Sequence, residues 1–204
     1  DVHRYERLIA ICNRIGDSSE EKVMRKLIVW NLMTLDGCFE GPTPWDLSFH
    51  TFVWGSELEE FSQQQLGHEG DLLVFGRKTY EGMAAYWQTT EDEGEIKSQM
   101  NSFPKICVSR SLTEATWNNT RLVRDPVAEL TKLKQQPGKT IFIFGSAELE
   151  NSLLDAGLID EIRLCIVPVV LGAGNPHFKP SSHQRPMTLL EARPLSNGAV
   201  ILRY

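Results

Sequence analysis

The sequence predicts an α/β fold in which a mainly parallel sheet carries helices on both faces and ends in an antiparallel hairpin. Short apolar segments of strand length alternate with helix-like segments through the middle of the chain. This alternation is typical of parallel sheets that are buried on both faces. At the C-terminus, two strand-like segments, 187–192 and 199–204, flank the turn-forming pair Asn197-Gly198, which predicts the hairpin.

The composition indicates one globular domain of ordinary size. The chain has 204 residues, of which 41% are hydrophobic and 24% are charged, and its net charge is -6. This charge argues against a nucleic-acid binder, because such proteins usually present a basic face. The most continuous apolar run, residues 164–171, contains Pro168 and is shorter than the roughly 20 residues of a membrane-spanning helix. We therefore expect a cytoplasmic protein with neither nucleic-acid nor membrane partners.

Cysteine usage points to the same compartment. The four cysteines are widely spaced and include no C-x-x-C pair. Such spacing suits reduced thiols better than a disulfide framework. It also predicts no metal site.

The first 23 residues differ from the rest of the chain, because a strongly strand-like run begins only at Met24. We interpret residues 1–23 as an N-terminal extension, either docked on the domain or upstream sequence, and residues 24–204 as the domain. Residues 25–35 predict the first core strand, which ends at Asp36-Gly37. Further on, Ser56 and Glu59 form a capping-box pattern that predicts the start of a helix.

The middle of the chain contains the remaining strands and helices. Residues 71–83, DLLVFGRKTYEGM, predict a buried strand, a sharp turn at Gly76 and a helix. Asp125 followed by Pro126 predicts a helix N-terminus, and another predicted helix follows Gly145-Ser146. The other predicted strands cover residues 105–108, 120–123, 140–144 and 162–171.

Three of these strands end in small, hydroxylated or basic residues. The three segments are Gly76-Arg77-Lys78-Thr79, Ser109-Arg110-Ser111 and Gly145-Ser146-Ala147. The carboxyl ends of parallel strands meet at one edge of a sheet, where ligands bind, and helix N-termini attract anions. Together the segments predict a phosphorylated ligand with two anionic groups, with Arg77 and Arg110 on a terminal phosphate. Three ordinary surface loops are the alternative interpretation.

The better-known phosphate motifs are missing. There is no G-x-x-x-x-G-K-[ST], and Gly172-Ala173-Gly174 has His177 where a third glycine of the dinucleotide fingerprint would stand. The sequence therefore excludes a P-loop and a standard dinucleotide-binding domain.

Five segments in order carry a resemblance to a known family. They are TLDG at 34–37, VFGRKTYEGM at 74–83, ICVSRS at 106–111, IFIFGSAELENSLLDAGLIDEI at 141–162 and VPVVLGAGNPHF at 167–178. From about Met24 to its end, the chain resembles the dihydrofolate reductase-like superfamily. The greatest similarity is to the reductase domain of the riboflavin-pathway deaminase/reductase and its stand-alone relatives.

The resemblance implies a three-layer α/β/α fold that binds NADPH. It assigns four sets of contacts to the cofactor. Gly76, Arg77, Lys78 and Thr79 lie by its phosphates, Ser109 and Arg110 by the adenosine 2′-phosphate, Gly145, Ser146, Ala147 and Leu149 by the pyrophosphate, and Leu32, Phe39, Glu40 and Gly41 by the nicotinamide.

The chain departs from the family pattern at several positions. His50 falls where dihydrofolate reductases carry an acidic substrate-binding residue, and Cys165 replaces a supporting threonine, so folate reduction is not favoured. Trp30 and Phe144 stand where the riboflavin-type reductases commonly have a lysine and an acid. The sequence also lacks the H-x-E and P-C-x-x-C zinc motif of the deaminase half.

The sequence offers two candidate catalytic residues, Asp36 and His50. Asp36 follows the first strand, where burial would raise its pKa and suit it to proton transfer, although an ordinary Asp-Gly turn is the alternative. His50 is either a substrate contact or a partly buried loop histidine. Trp45 and Phe49, with Phe52 and Trp54, suggest an apolar wall for a planar substrate or simply core.

These observations lead to a functional hypothesis. We expect an NADPH-dependent reductase that transfers hydride to a small heterocyclic or ribosylaminopyrimidine-like substrate. The alternatives are a dihydrofolate reductase-type activity and an NADPH-binding protein without turnover. We also expect a homodimer, because residues 162–171 form a long apolar strand placed near an edge of the sheet.

Overall fold

The computed structural model of the protein describes residues 24–91, 94–181 and 184–204. The predicted extension, residues 1–23, lies outside the described residues. The rest forms the expected α/β architecture, with a mostly parallel sheet and antiparallel strands at its C-terminal end.

Ten strands and five α-helices occur in the described residues. The strands are β1 Leu27–Thr34, β2 Cys38–Glu40, β3 Gly70–Gly76, β4 Lys105–Val108, β5 Thr120–Val123, β6 Thr140–Phe144, β7 Glu161–Val167, β8 Asn175–Pro176, β9 Glu191–Pro194 and β10 Val200–Arg203. The α-helices are α1 Ser56–Gln64, α2 Arg77–Thr89, α3 Glu95–Ser102, α4 Pro126–Lys134 and α5 Ala147–Asp155. A short 3-10 helix covers Ser48–Phe52, and a π-helical turn, Gln65–Glu69, continues α1.

The main sheet has the strand order β5-β4-β3-β6-β1-β7-β10-β9. The first six strands in this order, β5, β4, β3, β6, β1 and β7, are parallel to one another. Strand β10 pairs antiparallel with both β7 and β9. Strands β2 and β8 form a separate antiparallel pair. Because β4, β3 and β6 are parallel neighbours, the loops that follow them lie side by side at one edge of the sheet.

The sheet is covered on both faces by helices, as the alternation in the sequence predicts. One face packs Leu130 of α4 and Leu153 of α5 against β1, β3, β6 and neighbouring strands. The other face packs Tyr80 of α2 and Met100 of α3 against the same strands. A third cluster joins Trp30 to α1 and the C-terminal hairpin. These layers bury both faces of the strands, which explains their nearly continuous apolar sequences.

The predicted helix starts are partly confirmed. The carboxylate of Asp125 accepts a hydrogen bond from the backbone N–H of Ala128, 3.1 Å away, and Pro126 is the first residue of α4. The capping box at Ser56 is wrong. Gly55 precedes the helix and its carbonyl accepts the first helical bond from Glu59 N–H, 2.9 Å away, so Ser56 is already helical.

The long strand predicted at residues 162–171 is shorter and lies elsewhere in the sheet. Strand β7 ends at Val167, before Pro168, which cannot donate to a strand ladder. It lies between β1 and β10, so its predicted position near an edge is wrong. The hairpin is confirmed, although its first strand begins at Glu191. The homodimer remains a prediction, without the edge-strand argument that supported it.

None of the helices in the described ranges has the length and hydrophobicity that a membrane crossing requires. The three described cysteines, Cys38, Cys107 and Cys165, are buried and free. Cys12 lies outside the described residues.

Candidate active site

A cleft of about 1260 Å³ opens at the carboxyl ends of β3, β6 and β1. Pockets for a single drug-sized ligand usually measure about 300–1,000 Å³, so this cleft has room for a cofactor together with a substrate. One part of the lining, which we call the glycine end, comes from the loops after β3 and β6 and consists of residues 76–79 and 145–149. Another part, which we call the aromatic end, consists of Trp30, His50, Trp54, Ser62, Leu66, Met83, Trp87, Ile96, Met100 and Phe144.

The glycine end brings two helix N-termini to one side of the cleft. Strand β3 ends at Gly76 and α2 begins at Arg77, while Gly145 and Ser146 connect β6 to α5. No side chain of the described residues caps either helix. The unpaired N–H groups of both first turns therefore favour an anionic ligand.

The backbone conformation of the second loop depends on glycine. Gly145 has φ +59° and Ser146 has φ +68°, both in the left-handed region. A Cβ atom on Gly145 would lie 2.9 Å from Cγ2 of Thr79. The loop therefore needs a residue without a side chain at position 145.

Ser146 joins the two loops of the glycine end. Its Oγ atom accepts a hydrogen bond from Gly76 N–H at 2.8 Å and donates one to Oγ1 of Thr79 at 2.7 Å. Ser146 is buried, so these bonds are shielded from competing water. They fix the distance between the two helix N-termini before any ligand arrives.

Three buried polar side chains, Asn31, Glu150 and His177, form a network that holds the backbone of Gly145 in place. Gly145 N–H donates to Oδ1 of Asn31 at 2.6 Å, and Nδ2 of Asn31 donates to Oε1 of Glu150 at 2.7 Å. Oε2 of Glu150 lies 3.5 Å from Nδ1 of His177, and both side chains are almost completely buried. Burial raises the pKa of Glu150 well above its ordinary value and lowers the pKa of His177 to about 4. His177 is therefore neutral at pH 7, and burial disfavours the charged form of Glu150.

Sequence reasoning missed this network. Two signals point to it: Asn31 interrupts an otherwise apolar strand, and Glu150 lies three and four positions before the apolar Leu153 and Leu154 of α5. A polar residue on a buried face needs a partner.

The third predicted phosphate segment lies at the same edge of the sheet but does not line the cleft. Gly76 of β3 is paired with Val108 of β4, so residues 109–111 follow directly beside the glycine end. Ser109 is buried, and its Oγ accepts the N–H groups of Ser111 at 3.2 Å and Leu112 at 2.9 Å. Arg110 is exposed.

Arg124 is a further residue of this region that sequence reasoning missed. Its guanidinium donates to the backbone carbonyls of Ser109 and Leu112. Arg124 therefore fixes the turn that presents Arg110. The signal was available, because Arg124 directly follows the predicted strand next to β4.

Asp36 lies outside the cleft and is exposed. Its carboxylate accepts hydrogen bonds from Oγ1 of Thr34 at 2.6 Å and from the N–H groups of Gly172 at 2.7 Å and Leu171 at 3.3 Å. These donors, Thr34 first, lower the pKa of Asp36 below its ordinary value. The expectation that burial raises this pKa is wrong, and the geometry gives Asp36 the role of a loop anchor.

His50 lines the cleft, whereas its neighbour Phe49 does not. Phe49 is 1% exposed and packs in the core with the C-terminal hairpin, so its predicted substrate contact has no support in this geometry. Burial lowers the pKa of His50 to about 4, and its Nε2 atom has no hydrogen-bond partner among the described residues. At pH 7 His50 is a neutral ring at the boundary of the cleft.

Trp45 lines the cleft next to the predicted nicotinamide residues Leu32, Phe39, Glu40 and Gly41, which line it as well. The backbone N–H of Trp45 donates to Oε1 of Glu40 at 2.6 Å, and Oε2 of Glu40 accepts from Nδ2 of Asn175 at 3.0 Å. The Trp45 ring lies against Gly82 of α2, where a Cβ atom would collide with it. Of the other two predicted wall residues, Trp54 lines the cleft and Phe52 is exposed outside it.

The glycine end suits the diphosphate of a nicotinamide dinucleotide cofactor. The cofactor carries a diphosphate, and the first-turn N–H groups of α2 and α5 supply donors to it from two directions. The left-handed Gly145 keeps side-chain atoms away from this approach. Arg77 and Lys78 add positive charge, although the Arg77 guanidinium is also paired with Glu81 at 3.0 Å.

Comparison with known proteins then decides the family. The model of the RibD C-terminal domain matches residues 25–201. The chain belongs to this family. Members of the RibD C-terminal family are typically reductases that use NAD(P)H. Two curated relatives from Bacillus subtilis (strain 168) also match: the uncharacterized protein YyaP is 31% identical, with 88% of this chain and 94% of YyaP covered, and the uncharacterized protein YwjB is 26% identical, with 88% and 97% covered.

Solved structures show the same fold. A putative riboflavin biosynthesis protein from Shewanella sp. PV-4 has a TM-score of 0.72 at 20% identity, over 88% of this chain and 97% of that chain. A pyrimidine reductase-like protein from Corynebacterium diphtheriae has a TM-score of 0.60 at 16% identity, over 88% and 91%. Acinetobacter baumannii RibD has a TM-score of 0.61 at 18% identity, over 97% of this chain and 62% of that chain.

Proposed function

We propose that this RibD C-terminal family protein is an NADPH-dependent reductase of a small heterocyclic substrate. The observation that carries the proposal is the glycine end, where Ser146 holds the uncapped N-termini of α2 and α5 together at one cleft. Backbone donors in this arrangement suit a dinucleotide diphosphate. The remaining volume of the cleft then holds the compound that is reduced.

The residues of the chain divide the work as follows. The first turns of α2 and α5 hold the diphosphate, and Leu32, Phe39 and Gly41 border the nicotinamide and keep water from it. NADPH supplies the hydride, and the protein supplies position and orientation. Because His50 has a pKa of about 4, it is deprotonated at pH 7 and has no proton to donate. We therefore propose that water is the proton donor.

Arg110 is the residue that we expect to make the protein prefer NADPH over NADH. It is exposed beside the glycine end, on a turn that Arg124 fixes. An arginine fork pairs well with a phosphate. We therefore assign the adenosine 2′-phosphate to Arg110 and Ser109.

Titration with NADPH and NADH, followed by quenching of protein fluorescence, tests this assignment. We expect NADPH to bind more tightly, and Arg110→Ala to weaken NADPH about tenfold, or about 1.4 kcal/mol, while NADH binding stays the same. Arg121→Ala is the matched control, because Arg121 is also exposed but pairs with Glu129. Equal affinity for both cofactors in the parent protein would count against the 2′-phosphate assignment, and binding of neither would refute the proposed function.

The dihydrofolate reductase-type alternative is less well supported. Folate recognition in that family uses a carboxylate at the position of His50, and a neutral imidazole cannot accept two hydrogen bonds from a pterin. A ribosylaminopyrimidine belongs to the proposed substrate class, as does a simple heterocycle. NADPH absorbance with a panel of such compounds also tests the alternative of binding without turnover.

A further inference from the structure

We infer that the aromatic end of the cleft binds an uncharged, planar acceptor, such as a quinone or a cyclic conjugated imine, and discriminates against phosphorylated or other anionic compounds. The inference rests on the proposed function, because it concerns the substrate of the same reductase site. It follows from the charges, the ring surfaces and the unpaired ring nitrogens of the cleft.

The cations of the cleft are confined to the glycine end. Among the described residues that line the cleft, the only lysine or arginine side chains are Lys78 and Arg77. Both belong to the first turn of α2, and a helix rises about 1.5 Å per residue. Met83 and Trp87 of the same helix therefore lie about 8 and 14 Å further along its axis. Neither cation is positioned to neutralise a phosphate beside Trp87.

The carboxylates of the lining reinforce this discrimination. Glu40 also lines the cleft, and its oxygens accept hydrogen bonds from the backbone N–H of Trp45 and from Nδ2 of Asn175. Glu81 pairs with Arg77 at 3.0 Å and thereby offsets one of the two cations. An anionic substrate would exchange water for a low-dielectric wall with no lysine or arginine among its described residues, and the lost hydration disfavours its binding.

The shape of the aromatic end suits a flat ring. Trp30, Trp54, Trp87 and Phe144 line it together with aliphatic residues from three helices or turns. Stacking on these rings stabilises a planar ligand beyond the effect of the area it buries. Trp30 and Phe144 are the two positions where the sequence already departs from the charged pattern of the riboflavin-type reductases.

Two ring nitrogens of the same lining lack partners. Nε1 of Trp87 and Nε2 of His50 are buried and have no hydrogen-bond partner in the described part of the chain. An indole N–H can only donate, so a ring carbonyl or imine nitrogen is its natural complement. Uncharged polar atoms on a flat acceptor satisfy this requirement.

The reaction balances as a two-electron reduction. A bound nicotinamide would supply a hydride to the carbon of a C=N group, and the π electron pair of that group would move to nitrogen, which takes one proton from water. With a quinone, the hydride would go to one carbonyl oxygen, the ring would become aromatic as the electron pair moves to the other oxygen, and that oxygen would take the proton from water. The products are NADP⁺ and the reduced acceptor.

The tryptophans provide a direct binding assay. Of the five tryptophans, Trp30, Trp45, Trp54 and Trp87 line the cleft, whereas Trp117 is 1% exposed elsewhere in the core. We would saturate the protein with NADP⁺, which cannot reduce the ligand, and titrate 1,4-naphthoquinone or its 2-sulfonate against tryptophan fluorescence. We expect the uncharged quinone to bind at least about tenfold more tightly, since a difference of one buried charge exceeds about 1.4 kcal/mol. Equal or tighter binding of the sulfonate would overturn the inference.

Variants with a lysine in the aromatic end sharpen the test. Met83→Lys introduces a cation on the cleft side of α2, and Ala85→Lys introduces one on the exposed side of the same helix. Met83→Lys should reduce the preference for the uncharged quinone to less than about threefold, and Ala85→Lys should leave it unchanged. If Met83→Lys does not fold, Trp54→Lys serves instead, because Trp54 is 52% exposed. An unchanged preference in a folded cleft-lysine variant would contradict the charge argument.

Failure of this inference differs from failure of the proposed function. Absence of NADPH binding in the titration described above would refute the reductase proposal itself. Normal NADPH binding together with a preference for the sulfonate would refute only the uncharged substrate. NADPH oxidation with each quinone, corrected for the reaction without protein, provides the corresponding turnover measurement.

Discussion

The glycine end and the aromatic end of the cleft recognise ligands in different ways. At the glycine end, backbone N–H groups and positive-φ residues make the site. Side-chain oxygens hold it in place: Ser146 accepts from Gly76 N–H, Asn31 accepts from Gly145 N–H, and Glu150 accepts from Asn31. At the aromatic end, side chains make the site, and its character comes from their ring faces and from the lack of lysine and arginine among its described residues. The first kind of site needs glycine and short hydroxylated residues at fixed positions, whereas the second can be rebuilt by changing side chains on an unchanged backbone.

The largest expected effect is at Gly145. In Gly145→Ala, the left-handed backbone alone costs about 1–2 kcal/mol, and the added Cβ lies 2.9 Å from Thr79. We expect a lower melting temperature and NADPH affinity weakened about tenfold or more, because the loop must move. Thermal unfolding and NADPH titration measure the two effects.

Gly157→Ala is the matched control for this prediction. Gly157 also has a positive φ, of +67°, but a Cβ atom there would meet no atom of the described residues within 4 Å. It follows the C-terminal end of α5. The Gly157→Ala variant should be less stable than the parent protein and should bind NADPH with the same affinity. If both variants lose affinity equally, the glycine end is not the cofactor site.

Ser146→Ala should have a smaller effect. It removes the bond to Thr79 and leaves Gly76 N–H without its acceptor, at a cost of about 1 kcal/mol in unfolding free energy. NADPH should bind more weakly, because the two helix N-termini are no longer joined. Ser62→Ala provides the comparison at the aromatic end, because Ser62 is similarly buried and its hydroxyl donates to the Leu58 carbonyl of its own helix. Similar NADPH affinities in the two variants would contradict the proposed role of Ser146.

The buried, neutral His50 should make the stability of the protein depend on pH. Burial holds the pKa of His50 at about 4 in the folded protein, against an ordinary value of 6.5, so the unfolded chain binds more protons below pH 6.5. The free energy of unfolding is therefore not reduced by His50 above pH 6.5, and it decreases as the pH falls from 6.5 toward 4, because protons bind to His50 in the unfolded chain first. His50→Phe should leave stability at pH 7 unchanged or higher and reduce its loss at pH 4.5.

Chemical unfolding of the parent protein and His50→Phe at pH 7 and pH 4.5 tests this prediction. His177, whose pKa burial also lowers to about 4, remains in both proteins, so part of the acid loss should persist. Identical losses in the two proteins would show that His50 is not buried in its neutral form.

Asp36→Asn should have the smallest effect on the reaction. Its carboxylate anchors Gly172 and Leu171 outside the cleft, so we expect a lower melting temperature and unchanged kcat/KM for NADPH oxidation. Because the pKa of Asp36 is lowered, its stabilising effect should disappear as the pH falls through that lowered value. A large loss of kcat in a variant that melts normally would restore Asp36 as a catalytic residue.

The strands were predicted well where apolar runs end in glycine or charged residues. Strands 105–108, 120–123 and 140–144 are confirmed at those bounds. The reason is clearest for 140–144, a central strand whose middle residues are buried and apolar, whereas 120–123 is the edge strand and has a weaker apolar pattern. The prediction was wrong at 162–171, where an apolar sequence continues past Pro168 after the ladder has ended. Apolar composition alone does not distinguish a paired strand from a loop that packs on the core.

The sequence by itself determined the alternation of strands and helices, the three basic or glycine-rich strand ends and the family, because these depend on local backbone requirements and on order along the chain. Only the tertiary structure decided which residues meet. It placed His50 at the cleft and Phe49 in the core, and it placed Asp36 outside the cleft. It also brought Asn31 into hydrogen-bond contact with Glu150, 119 positions away, and put His177 beside Glu150. Burial and charge compensation are properties of the packed chain, so the chemical character of the aromatic end became apparent only in the folded protein.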